Sequence, residues 1–178
     1  FPFEYEPGLK HDLAPYLEYF TLPGNERYYA VSWGPVDLFL LDSDRAEPDG
    51  VDATSLQAQW LERSLAASTA PWQLVLLHHA PHSSGRHGST EALQWPYARW
   101  GADVVIAGHD HAYERIERDG IVYLVNGLGG HGKRYEFNTP VDGSQIRFNA
   151  AHGALKVQAT ATELRLEFVR TGGQAVDT

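Results

Sequence analysis

Two stretches of this chain place histidines directly behind apolar runs. Residues 73–77, QLVLL, lead into HHAPHSSG at 78–85, and residues 104–107, VVIA, lead into GHDHAYER at 108–115. Neutral imidazole is the commonest metal ligand among side chains. A single histidine in such a place reads first as a hydrogen-bonded structural residue. Three of them, His78, His109 and His111, at the ends of two apolar runs are hard to account for as packing, and they read as a metal-binding set. His109 and His111 are two apart, so an extended segment would project both to one side and turn Asp110 away.

The elements that would position these residues can be read from the same patterns. Short Val/Ile/Leu runs are the mark of strands buried on both faces, and ligands of open α/β sheets collect outside the carboxyl ends of such strands. RYYAVSW and VDLFLLD, parted by Gly34-Pro35, predict a hairpin. Its far end carries Asp42, Ser43 and Asp44, for which a turn role is expected. Thr54 with Gln57 fits a capping box, and Leu56, Trp60, Leu61 and Leu65 make the apolar face of the helix it would start. STEALQWPYARWGAD reads as a helix interrupted at Pro96, and IVYLVN as a further strand. QIRFN, HGALKVQATA and TELRLEFVR alternate as a closing antiparallel meander with a turn at Thr160 to Thr162. Residues 1–26 read as loop with a helical turn near Leu13 to Phe20. Asn25 there serves a turn, and His11 lies at the surface.

Taken together, GHDHAYER, HHAPHSSG, PGNERYYAVSWGPVDLFLLDSD, QAQWLERSL, IVYLVNGLGG and the closing HGALKVQATATELRLEFVRTGG resemble the calcineurin-like metallophosphoesterases, and more closely their purple acid phosphatase and bacterial alkaline phosphatase-like branch. The resemblance implies an α/β fold, the carboxyl-terminal portion of a four-layer α/β/β/α sandwich. It implies hydrolysis of phosphate esters, mono- or diesters, at two metal ions, iron, zinc or manganese, through a bridging hydroxide. His78 and His109 would hold one ion and His111 the other. His79 would stand beside the ligands or face the substrate, and His87, in a Gly/Ser loop, would contact the substrate phosphate. His82, His131, Lys133 and Arg115 remain candidates without a role, while Glu114 and Arg115 are expected to brace the loop.

The family's aspartate motifs and its Gly-Asn-His are not in this sequence. The expectation is therefore that residues 1–178 form the carboxyl-terminal part of one domain, active with an amino-terminal part that brings those ligands. Such a fragment, or a second copy of the chain, would cover the sheet face left open. Two other readings stay open: a non-catalytic module that keeps the fold, and a mononuclear hydrolase using three imidazoles and a water.

Composition narrows the classes further. A net charge of −9 over 178 residues argues against a nucleic-acid surface, which needs a basic stripe; a small phosphate ester can still be drawn in by bound cations. With no cysteine, disulfides and thiolate metal sites are unavailable. No apolar run has the length of a membrane span. The resemblance suggests an extracellular or periplasmic setting. The chain opens on Phe1 and contains no methionine, from which processing at its front is expected.

Overall fold

The apolar runs become neighbouring strands of one large sheet. In a computed structural model that describes residues 13–178, β1 (Tyr29–Trp33) and β2 (Val36–Leu40) form the expected antiparallel hairpin. β3 (Trp72–Leu77) and β4 (Val104–Ala107) then join parallel to β2. β5 (Tyr113–Arg118), β6 (Ile121–Asn126) and β7 (Ser144–Phe148) complete seven strands in the order β1-β2-β3-β4-β6-β5-β7. β8 (Gly153–Ala159), β9 (Leu164–Arg170) and β10 (Ala175–Asp177) make a separate antiparallel sheet. The helices are α1 (Ala14–Tyr19), α2 (Leu56–Ala67) and α3 (Tyr97–Trp100). His11 lies outside the described residues.

Both faces of the large sheet are apolar, which explains why its inner strands read as continuous runs. One face packs Phe39, Val75, Val105 and Val125 against Ala58, Leu61 and Leu65 of α2 and Tyr97 and Trp100 of α3. The other packs Leu74, Val104, Tyr113 and Leu124 against Phe168 of the small sheet. That small sheet covers only part of the face. Leu38, Leu74, Leu76 and Ile106 line an open apolar cavity of about 420 Å³, with Trp33 at its rim, and Trp33 is 79% exposed.

β3 and β4 are in register from Leu74 opposite Val104 to Leu77 opposite Ala107. Polar bonds close the pair at both ends. Asp103 accepts the Gln73 N–H on its carboxylate at 2.7 Å and donates its own N–H to the Gln73 carbonyl at 2.9 Å. Beyond the strands, Gly108 N–H reaches the His78 carbonyl at 2.9 Å.

Several local expectations need correction. The cap of α2 is Ser55, whose side chain accepts from Ala58 N–H. The side chain of Gln57 is instead buried, spanning the Asp42 backbone and the Gly50 carbonyl. Thr54 bonds to Asp52, and Leu56 is exposed. QIRFN is not part of the closing meander, because β7 pairs with β5 in the large sheet. The small sheet takes β10 in its place. As expected, the segment after Thr90 breaks at Pro96 into a 3-10 turn and α3, and Asn25 Oδ1 accepts the N–H groups of Arg27 and Tyr28.

Candidate metal centre

Because β3 and β4 run parallel in register, the residues after them emerge side by side. His78 Nε2 lies 3.1 Å from His109 Nδ1, close to the separation of about 3.3 Å between two nitrogens bound to one tetrahedral ion. His79 joins them, its ring 4.5 Å from that of His109. Among the described residues, His78, His79 and His109 form a group whose donor atoms all lie within 4.8 Å of one another. Three imidazoles with donors this close are a set that could hold one cation.

His109 does not continue a strand. Its φ is 63°, and Asp110 N–H and Ala112 N–H bond back to the carbonyls of Gly108 and Asp110, so the segment is a pair of tight turns. His109 and His111 therefore separate. The His111 ring stacks on Tyr135 at 4.2 Å and lies 4.0 Å from His131. Its Nδ1 meets the Lys133 carbonyl at 3.0 Å, an arrangement that puts the proton on Nδ1 and leaves Nε2 as a lone pair. That is the usual orientation of a metal-bound histidine. Burial pushes its pKa down, with the Lys133 carbonyl opposing.

A cavity of about 250 Å³ opens beside the first group, lined in part by Ser43, Arg45, His79, His87, Thr90 and His109. The His87 ring is 4.2 Å from that of His109 and 5.3 Å from Tyr135. Ser43 was missed by the sequence reading. Its hydroxyl oxygen accepts the His79 backbone N–H at 2.9 Å and contacts His79 Nδ1 at 2.9 Å. Since a hydroxyl can donate or accept there, Ser43 can support either His79 tautomer. The missed signal was available, because Ser43 follows β2 at the same sheet edge as His78. Arg115 is not in this site: it pairs with Asp177 of β10 and with Glu117.

Residues 2–113, more than half of the chain, match the family model described as calcineurin-like phosphoesterase, and residues 120–178 match the iron/zinc purple acid phosphatase-like protein C model. The chain belongs to the calcineurin-like phosphoesterase family. Purple acid phosphatase 22 of Arabidopsis thaliana is 31% identical across 82% of this chain and 37% of its own length. Purple acid phosphatase 4 of the same plant is 32% identical across 65% and 36%. The chain thus spans little more than a third of these relatives. A purple acid phosphatase from yellow lupin seeds superposes with a TM-score of 0.79 over 92% of this chain and 34% of its own, at 22% identity, a likeness of fold. The mixed α/β architecture around a large sheet is that of the phosphoesterase family. Among the described residues no helix is long and apolar enough to cross a membrane.

One histidine of this chain is structural. His82 is buried, its ring edge-on to Tyr123 at 4.9 Å. Burial lowers its pKa, Arg118 adds to the effect and Asp119 opposes it. The unfolded chain then binds more protons between the depressed value and the ordinary one of about 6.5, so this contribution is full above that pH and lost as pH falls below it. The unfolding free energy of a His82→Leu variant should decline less between about pH 7 and 5 than that of the parent. Parallel declines in denaturant titrations would contradict this.

Proposed function

We propose that this chain carries the histidine half of a two-cation centre that hydrolyses phosphate esters. The observation that carries the reading is the meeting of His78, His79 and His109 at the ends of adjacent parallel strands. Bound there, iron, zinc or manganese ions would neutralise charge at phosphorus and acidify a water for attack. His78 and His109 would hold one ion. His111, with Nδ1–H committed to the Lys133 carbonyl, would offer Nε2 to the other. His79 completes the first set or faces the substrate, depending on which tautomer Ser43 supports. His87 stands over His109, where it would bind a phosphate oxygen or protonate the leaving group.

Two cations held close together also call for negative ligands. These would come from a polypeptide layer of the same protein, or from a second copy, laid on the open apolar face beside Leu38, Leu76 and Ile106. The substrate is a small phosphate ester, in keeping with the cavity.

A second reading is favoured by the same triplet: three imidazoles and a water suffice for a single catalytic zinc. Elemental analysis of the purified protein, with turnover of an aryl phosphate, tests both. Two ions per chain with turnover support the proposal, one ion with turnover supports the mononuclear site, and neither ion nor turnover leaves a non-catalytic module. His87→Ala should lower kcat by about 10²-fold while metal content stays unchanged; unchanged kinetics would remove His87 from the site.

A further inference from the structure

Two buried carboxylates belong to the segment that carries His109 and His111, yet neither takes part in the reading above. Asp110 is 1% exposed and Glu114 fully buried. Among the described residues neither forms an ion pair; hydrogen-bond donors from the loop after β3 surround them instead. Asp110 Oδ2 accepts from Ser83 Oγ at 2.6 Å and Oδ1 from His87 N–H at 2.8 Å. Glu114 accepts from Ser84 N–H at 2.7 Å, from the Ser84 hydroxyl and from the Ser144 hydroxyl.

The fit admits no slack. A Cβ on Gly85 would lie 2.3 Å from Asp110 Cγ, and one on Gly127 2.0 Å from the Asp110 carbonyl oxygen. Loop and turn are therefore pressed together at glycines on both sides of Asp110. A carboxylate is the side chain that can take an O–H and an N–H at once on two oxygens. Here the two donors belong to residues flanking the same loop. On its own segment Asp110 follows His109, whose φ of 63° is a left-handed conformation uncommon for non-glycine residues, although His, Asn and Asp adopt it more often than the rest. Strained backbone of this kind persists where surrounding contacts over-determine it.

We propose that Asp110 is a positioning residue. Its carboxylate ties the backbone of His87 to the strained turn at His109, so the two imidazoles 4.2 Å apart move as one unit, while Glu114 anchors the loop one step further back. This rests on the phosphoesterase reading for its catalytic consequence, but its geometric content stands apart. Misplacement of a reacting group by about an ångström costs up to about 10²-fold in rate, so a loose His87 loop would be felt in turnover without any lost ligand.

The test compares Asp110→Ala, Asp110→Asn and Ser83→Ala in the full chain, with amide hydrogen exchange at His87 followed by NMR. In Asp110→Ala the His87 amide should exchange at least roughly ten-fold faster, as expected when a local hydrogen bond is lost. Asp110→Asn keeps an acceptor oxygen and should restore most of the protection. Ser83→Ala, which leaves the Asp110 to His87 bond in place, should show a smaller effect and serves if Asp110→Ala does not fold. On an aryl phosphate, Asp110→Ala should lower kcat about ten-fold with KM and metal content little changed. The double variant Asp110→Ala/His87→Ala should be no slower than His87→Ala alone. Unaltered His87 exchange in Asp110→Ala, or losses of turnover that multiply in the double variant, would overturn the proposal. Absence of turnover in every protein, the parent included, would sink the phosphoesterase reading and leave the exchange comparison to decide this one.

Discussion

His109→Ala should lower kcat/KM on an aryl phosphate by about 10³-fold or more, roughly 4 kcal/mol of transition-state stabilisation, and should lose bound metal in parallel. The expectation follows from where the ring stands. His109 touches each of the other members of the group, 3.1 Å from His78 by nitrogen separation and adjacent to His79 and His87 by ring contact. Removing it would take away a proposed ligand and the neighbour against which the His87 ring is set. Metal retained at the parental level with turnover within a few-fold would show that the cluster is not the reaction centre. His111→Ala is the informative companion, because its ring belongs to the Tyr135 and His131 group. Loss of one ion rather than all would separate the two positions.

The largest effect on stability is expected at Phe168, far from any histidine. Its side chain is fully buried, stacks on Tyr113 at 4.1 Å and is, among the described residues, the one buried apolar side chain the small sheet contributes to its contact with the large one. Phe168→Ala leaves a cavity where two sheets meet and should cost about 3–5 kcal/mol, a fall in Tm on the order of 10 °C for a domain of this size. The Tyr113 hydroxyl, bonded to Asp177 of β10 at 2.8 Å, ties the same two sheets by a different element and limits how far the cavity can collapse. Calorimetry showing a fall of less than about 2 °C would mean that the sheets are held together elsewhere.

The strands that carry the site were legible because burial on both faces writes itself as apolar runs, and QLVLL and VVIA lie where β3 and β4 are. The hairpin at Gly34 was legible from its turn residues. β5 was not read as a strand, although AYERIER followed by Asp119-Gly120 and IVYLV has the turn chemistry of a hairpin; its charged residues hid a strand buried on both faces, Ile116 on one and Tyr113 on the other. In the site, the meeting of His78 with His109 could be inferred from strand ends alone. The parting of His109 from His111 could not, because it depends on a left-handed turn at a histidine, which no local pattern announces. His79 was expected beside the ligands, whereas the support that Ser43 gives it was hidden behind a turn role, although Ser43 follows a strand at the same sheet edge.

The register of β3 on β4 decides more than the packing of the sheet. Where one face of a strand is polar, a slip of one residue exposes the core and is strongly disfavoured, but β3 and β4 are apolar on both faces, so alternation gives that protection only weakly. Backbone bonds would form in any register, but the bond from Gln73 N–H to the Asp103 carboxylate requires an aspartate at that position and so favours the native alignment over its neighbours. A slip of a single residue would carry His78 past His109 by about 3.3 Å, beyond the reach of any shared ion. An aspartate a full strand length away from the imidazoles is thus part of what specifies their meeting, acting as an index pin for the alignment and touching nothing in the centre itself.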